Sequence, residues 1–451
     1  MLTRPDGVMV RGIWETHNRV LAMKTAEPEA GFRELGRGIQ ATLAYVGSRG
    51  DEIWLQTDFQ APRGRVIALR WGSPDKDPRE IVPEQADATI DTWVGARGAG
   101  EGIVVGYRKD SRLYFDYVGA DGNMLKRIEP PNMSSVWTGL VGRQGSDTVF
   151  FTVSSFADPG SVYRLKLHSG EQTLFQQPEL PYDPQKIVVE QRFYRGEGRE
   201  RVPMFVAYHE ETPPDGSRPV MMYGYGFGAW IAAPWFRPHL PEWFLSGGTF
   251  VLPALRGGGE FGEEWHRAGA VTGKTASIDD FIAAAEWLID AGIARQSLLV
   301  AETNSAGGPV VGASIVRRPD LFGAAILSFP LLDMLAYENY THAGRWRSEL
   351  GSVQNPEESA ALASYSPPHN VTPGTCYPPV LLAPGALDEV TPPMHAYKFA
   401  AALQHAGNCD NPALLRMSWD AGHAYGGTPE ETAATLAAQL VFLRKVLDLK
   451  P

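Results

Sequence analysis

The sequence predicts an α/β protein in two parts, an all-β region followed by a domain in which strands and helices alternate. Three observations carry this. From about 38 to 180, short apolar segments recur every ten or so residues with Gly, Pro, Asp and Asn between them, the pattern of an all-β region. Beyond 186 the period lengthens and strand-like runs alternate with helical stretches, as in a mostly parallel sheet covered by helices on both faces. Residues 297–312 then read as strand, tight turn and helix, with Leu298 to Ala301 leading into Thr303-Asn304-Ser305-Ala306-Gly307-Gly308.

Residues 1 to about 35 mix Gly, Pro and charges with short apolar pieces and give no assignable element. After them the expected strands are Ile39 to Val46, Glu52 to Thr57, Arg65 to Trp71, Gly102 to Tyr107, Arg112 to Tyr117, Asp147 to Ser154 and Ser161 to Leu167. A coarser repeat is present. The segment from Asp51 to Phe59 resembles the one from Asp147 to Phe156, and each is followed by Pro and a further strand. Units of about 40 to 50 residues with four strands each suggest propeller blades. About three such units fit, fewer than the four to eight that close a ring. Residues 1–185 are therefore expected to form a partial β-propeller of about three blades. Its open edges favour strand pairing between copies, so a homo-oligomer is one expectation.

Pro181-Tyr182-Asp183-Pro184 is a turn-rich boundary, and 186–451 is expected to be the second domain. Lys186 to Tyr194 and Val202 to Glu210 read as a strand hairpin. Pro219 to Tyr223, Thr249 to Pro253, Ser297 to Ala301, Pro379 to Ala383 and Leu414 to Trp419 read as further strands. Ser277 to Gly292, Met394 to Ala406 and Thr428 to Leu447 read as helices. Asp279 and Asp280 fall at the expected start of the first helix, where carboxylates favour the helix dipole.

Composition narrows the function classes. A chain of 451 residues with 43% hydrophobic and 21% charged residues is soluble and globular in type. A net charge of −11 without a basic cluster argues against a nucleic-acid surface. The N-terminus carries charges throughout, and the most apolar stretch, Ala324 to Tyr337, is broken by Pro330 and Asp333. No membrane partner is expected, and the location expected is the cytoplasm. Cys376 and Cys409 are too few for a disulfide framework or a Cys-x-x-Cys metal site. A single bridge between them stays open, and two free thiols in a reducing compartment is the plainer expectation. The histidines are scattered and His-Glu-x-x-His does not occur, so neither metal nor cofactor is expected.

The chemistry centres on Ser305. A sharp strand-to-helix turn exposes a serine hydroxyl, and its usual form is Gly-x-Ser-x-Gly. Here Thr303 stands at the first glycine and Gly307 at the second. A serine so placed is also an ordinary helix cap, and as a nucleophile it needs a base and a group to orient that base. Asp388, after the apolar run Leu-Leu-Ala-Pro-Gly-Ala-Leu, and His423, after Ser-Trp-Asp-Ala-Gly, supply both. Alone, Asp388 is equally a cap before Thr391-Pro392-Pro393, and His423 a surface loop histidine. Together, in the chain order Ser, Asp, His, each after an expected strand, they match an α/β-hydrolase.

Residues 186 to 451 resemble the prolyl oligopeptidase family of serine peptidases. The resemblance rests on Tyr223-Gly-Tyr-Gly, on Leu255-Arg-Gly-Gly-Gly-Glu-Phe-Gly-Glu-Glu-Trp-His, on Asp279-Asp-Phe and on Ser305 with Gly307-Gly308. Arg318-Pro-Asp-Leu-Phe-Gly, Tyr365-Ser-Pro-Pro-His-Asn-Val and Gly422-His423 extend it. The region from about 50 to 180 is similar to the last blades of that family's propeller, while its first blades and N-terminal segment have no counterpart here. The resemblance implies a catalytic triad of Ser305, Asp388 and His423. It implies an oxyanion hole of the Ala306 N–H and the Tyr225 phenol. It places Trp346 against a substrate proline, with Phe227 as a second wall, although the family's Gly-Phe order is inverted to Phe227-Gly228.

Three departures bear on activity. The β-branch of Thr303 resists the close packing that glycine permits and is expected to loosen the turn. Val390 stands where prolyl peptidases carry an arginine that grips a substrate carbonyl. His342 stands where the family has an aliphatic pocket residue, so a more polar pocket is expected. The expected function is a serine hydrolase cleaving short peptides on the carboxyl side of proline through an acyl-enzyme. The alternatives are an esterase or amidase acting on small acyl substrates, favoured by Val390 and His342, and a catalytically weak binding or scaffold protein, favoured by Thr303 and the few blades.

Overall fold

The computed structural model describes residues 2–3, 8–13, 19–72, 78–91, 94–136, 139–142, 145–196, 198–340, 343–407 and 409–449. The chain divides into two compact units, one of residues 1–181 with the short stretches 234–236 and 261–263, the other of the remainder.

The first unit is built of antiparallel sheets in chain order. The strands at Leu43–Arg49, Glu52–Thr57, Arg65–Arg70 and Arg79–Val82 form one sheet. Five strands between Thr89 and Ile128 form the next, and five between Ser135 and Gln176 the one after. These correspond to the three expected units. A further four-stranded sheet precedes them, at Leu2–Thr3, Val8–Ile13, Arg19–Lys24 and Arg33–Leu35. The described residues of this unit thus hold four sheets, against about three expected. This sheet escapes a reading by periodicity because two of its strands have only 2 and 3 residues.

Alternation along the strands explains how neighbouring sheets pack. Successive side chains point to opposite faces. Ile53 and Leu55 pack with Val20, Ala22 and Leu35 of the sheet before. Trp54, between them, packs with Ile90, Ile103 and Val105 of the sheet after. The same division recurs one sheet on, where Val104 turns to Val149, Phe151 and Val153. The two middle sheets thus bury both faces, as propeller blades do.

The second unit is organised by one sheet of eight strands. We label them β1 (Ile187–Gly196), β2 (Arg199–His209), β3 (Val220–Tyr223), β4 (Thr249–Pro253), β5 (Leu299–Asn304), β6 (Ala324–Ser328), β7 (Val380–Ala383) and β8 (Ala413–Leu415). Their spatial order is β1-β2-β4-β3-β5-β6-β7-β8. The hairpin β1–β2 joins β4 antiparallel, and every later pairing is parallel. The parallel strands β3, β4, β6 and β7 are buried at every position, which is why they read as unbroken apolar runs. The principal helices are α1 (Lys274–Asp290), α2 (Gly308–Arg317), α3 (Met394–Ala406) and α4 (Pro429–Val446). The capping box Thr428-x-x-Glu431 and Pro429 set the start of α4.

Several details differ from expectation. The last strand is shorter than the Leu414 to Trp419 expected. Helix α1 starts at Lys274, so Asp279 and Asp280 lie in its second turn, beyond the reach of the helix dipole. Asp280 is instead buried and bound to Arg256, accepting from its Nη2 at 2.7 Å and from its backbone N and Nε at 2.9 Å. Cys376 and Cys409 are paired in a disulfide with a Cα separation of 5.5 Å, against the two free thiols expected. Their 33-residue separation hid the contact, because β7 and α3 fold the intervening chain back on itself. Closing a loop of that size restricts the unfolded chain. Reduction is expected to lower unfolding stability by about 3 kcal/mol, measurable as a fall in denaturation midpoint with reductant. Among the described residues no helix is long and apolar enough to cross a membrane.

Candidate active site

In a parallel sheet the loops at the carboxyl ends of the strands form the ligand-facing edge. Tyr225 follows β3, Ser305 follows β5, Phe329 follows β6, Asp388 follows β7 and His423 follows β8.

Ser305 has φ 52°, a left-handed conformation that costs energy for a residue with a Cβ. The bend between β5 and α2 imposes it, and it pushes the hydroxyl out of the turn. Gly307 is required here, because an added Cβ would lie 2.2 Å from Thr303 Oγ1 and 2.7 Å from the Gly224 carbonyl. Thr303 itself does not loosen the turn. It is buried in the extended backbone of β5, which suits a β-branched residue, and its hydroxyl donates to the Gly224 carbonyl at 2.8 Å. The residue that departs from Gly-x-Ser-x-Gly thus ties the serine turn to the loop after β3.

Ser305 Oγ lies 2.7 Å from His423 Nε2, and His423 Nδ1 lies 2.9 Å from Asp388 Oδ2. With Nδ1–H directed to the carboxylate, Nε2 is the acceptor for the serine proton. Asp388 is buried, which raises its pKa. The hydrogen bond from His423 and those from the N–H groups of Thr391 and Val390 outweigh burial and hold it below the usual carboxylate range. The two readings of Asp388 in the sequence turn out to be compatible. Its Oδ1 caps the N–H groups of Val390 at 2.8 Å and Thr391 at 2.9 Å, while Oδ2 faces the imidazole. The loops bearing Asp388 and His423 run side by side, with Leu387 N–H donating to Ala421 O at 2.9 Å. Gly385 permits this approach, since a Cβ there would meet Gly422 O at 2.3 Å.

The Tyr225 phenol faces the Ser305 side chain closely enough for the serine to influence its proton affinity. Burial pushes its pKa up and Ser305 pulls the other way, with burial prevailing, so it stays protonated at neutral pH. Its ring is held by Tyr223 at 6.4 Å and Trp230 at 5.3 Å between centroids. Ala306 follows Ser305 in the turn Ser305–Gly307 and is buried. Phe227 and Trp346 meet edge to face at 6.1 Å and pack together on a buried cluster that includes Ile278, Leu331, Met334 and Tyr337. His342 lies outside the described residues.

Other residues around the site had no signal of their own in the sequence. Thr391 Oγ1 lies 2.7 Å from the Phe329 carbonyl, 3.0 Å from Asp388 Oδ2 and 3.1 Å from His423 Nδ1. Lys274 is buried, and burial pushes its pKa down to about 8. Its Nζ donates to Gly226 O at 2.7 Å and lies 5.5 Å from the Phe227 ring centre. Glu349, three residues after Trp346, accepts from Gly228 N–H at 3.2 Å and pairs with His266 Nε2 at 2.7 Å. The loop is therefore pinned on both sides of Phe227. The spacing Asp388-x-x-Thr391 was the one available hint, since such a pair favours a local side-chain turn. Among the described residues no group of three or more His, Cys, Asp or Glu is placed to hold a metal.

A parallel sheet of this order, with a strained serine turn at its centre, defines the α/β-hydrolase fold. Comparison with known proteins narrows the class. Residues 234–450 match the prolyl oligopeptidase family and residues 8–178 match the N-terminal β-propeller domain of prolyl oligopeptidase. The chain is 29% identical over 437 residues to a prolyl endopeptidase of Elizabethkingia miricola, covering 96% of this chain and 61% of that one. It is 31% identical over 430 residues to the dual function macrocyclase-peptidase POPB of Galerina marginata, covering 93% of this chain and 58% of that one. A solved structure of prolyl oligopeptidase B from Galerina marginata, bound to a 35mer hydrolysis and macrocyclization substrate, superposes with a TM-score of 0.88 at 27% identity. That match covers 98% of this chain and 64% of the other. The chain belongs to the prolyl oligopeptidase family. It spans about three-fifths of the length of the curated relatives it matches.

Proposed function

We propose that the protein is a serine peptidase that cleaves short peptides on the carboxyl side of proline. The observation that carries this is the hydrogen-bonded chain Ser305–His423–Asp388, with Ser305 held at φ 52°. In the proposed reaction Ser305 Oγ attacks the acyl carbonyl as its proton passes to His423 Nε2. The Ala306 N–H and Tyr225 O–H hold the resulting oxyanion. The imidazolium then gives its proton to the departing amine, leaving Ser305 acylated. Water, deprotonated by the same imidazole, releases the acid and restores the serine. Asp388 keeps the imidazole in one tautomer and stabilises its cation.

The Phe227–Trp346 pair supports proline as the residue on the acyl side, because flat apolar walls suit a rigid ring. The relatives' names, prolyl endopeptidase above all, and the peptide carried by the Galerina marginata structure support a peptide substrate. Trp346→Ala is expected to lower kcat/KM for a proline anilide about 30-fold, mainly through KM, while a p-nitrophenyl ester loses little.

Val390 favours a second reading, an esterase or amidase. Its side chain brings no charge to a substrate carbonyl, so peptide positioning is weakened. A panel of anilides ending in Pro, Ala or Phe, with a p-nitrophenyl ester and a Ser305→Ala control, separates the readings. Ser305-dependent cleavage led by the proline anilide supports the peptidase. Ester cleavage alone supports the second reading. No cleavage at all leaves a binding or scaffold role.

The redox state of the two cysteines decides the compartment. The Cys376–Cys409 pairing favours an oxidising compartment over the cytoplasm expected from composition. Alkylation in the native host followed by mass spectrometry tests it, a bridged pair marking the first and two alkylated thiols the second. Association of copies through strand edges rests on the sequence pattern, and size exclusion at several concentrations tests it.

A further inference from the structure

The loop bearing His423 and the turn bearing Ser305 come from distant parts of the chain, and their hydrogen bond needs both held in place. Two residues that flank them meet. Asn304 directly precedes Ser305, Tyr425 follows His423 by two positions, and Asn304 Nδ2 donates to the Tyr425 hydroxyl at 3.3 Å. The Asn304 amide has its orientation fixed from the other side, where Tyr223 Oη donates to its Oδ1 at 2.9 Å. Tyr223 is anchored in turn, with the Arg237 guanidinium 3.6 Å from its ring centre. On the neighbouring strand, Ser328 Oγ accepts from Gln439 Nε2 at 2.9 Å. The Tyr425 ring meets Phe329 edge to face at 5.1 Å, and Phe329 meets the His423 ring at 4.8 Å. Phe329 has φ 36°, a conformation a bulky residue adopts only where its surroundings fix it.

From this arrangement we infer that Asn304 and Tyr425 are positioning residues, a clasp that joins the base-bearing loop to the nucleophile turn and keeps His423 Nε2 in reach of Ser305 Oγ. The inference rests on the serine-hydrolase reading. Each acts through the residue it flanks. Burial pushes the pKa of Tyr425 up, so its hydroxyl stays neutral while the imidazole works.

The clasp makes a specific claim about additivity. If the two residues act only through each other, removing the second after the first changes nothing more. Tyr425→Phe keeps the ring against Phe329 and removes the hydroxyl alone, and Asn304→Ala removes the other half. Each is expected to lower kcat for the proline anilide about tenfold with KM unchanged, about the worth of one hydrogen bond to the working geometry. The double variant is expected to be no slower than the slower single one. Labelling of Ser305 by a serine-reactive phosphonate is expected to slow in the same proportion. A double variant slowed about a hundredfold, the product of the single effects, overturns the clasp. So does a Tyr425→Phe variant with unchanged kcat and labelling, which decides the matter alone if Asn304→Ala does not fold. Wild-type protein that fails to label overturns the serine-nucleophile reading, and the clasp falls with it.

Discussion

Ser305→Ala is expected to lower kcat/KM toward every cleaved substrate by at least about 10⁴-fold. The variant keeps the proposed oxyanion donors, Tyr225 and the Ala306 N–H, but has no atom to form the acyl-enzyme. What remains is attack by water on a polarised carbonyl, the small residue of catalysis that binding and oxyanion stabilisation provide. The fold is expected to persist. The Ser305 side chain bonds His423, and the backbone of the turn is held independently by Leu331 N–H donating to Ser305 O at 2.9 Å. Unfolding midpoints within the range of an ordinary surface substitution, with turnover gone, identify a chemical rather than a structural loss. Steady-state kinetics and a denaturation curve on the same preparation check both halves.

Tyr225→Phe is expected to lower kcat about 10²- to 10³-fold with a small change in KM. Losing one oxyanion donor costs about 3 to 4 kcal/mol in the transition state, because the charge it meets exists only there. The substitution removes the hydroxyl and leaves the ring, so the stack on Tyr223 and Trp230 is retained. The phenol works only while protonated, and burial raises its pKa above the ordinary value near 10. The sign is therefore fixed: the wild type loses no activity through this group between neutral pH and about pH 10. A loss confined to KM would place Tyr225 in substrate binding instead.

How much was legible in the sequence depends on how local each signal is. Ser305 was legible because strand, tight turn and helix are contiguous there, and the left-handed φ follows from that geometry. Asp388 and His423 were legible because each sits just past an apolar run, although β7 and β8 are only 4 and 3 residues long. Thr303 was misjudged. Weighed as a substituted glycine it promised a looser turn, but its hydroxyl finds the Gly224 carbonyl from a strand lying alongside. Asp280 was misjudged for the same reason, since its partner Arg256 is 24 residues away. The disulfide and the contacts of Lys274, Glu349 and Tyr425 join segments far apart in the chain, which no periodicity encodes. The first sheet, before residue 36, was missed because its shortest strands fall below the length at which alternation is visible.

The measurement that tests the central claim most directly is covalent labelling with a serine-reactive phosphonate, mapped by peptide mass spectrometry. The account predicts one adduct, on Ser305, with none on the Ser305→Ala variant. An adduct on a different residue, or an unlabelled Ser305 in folded protein, would contradict it.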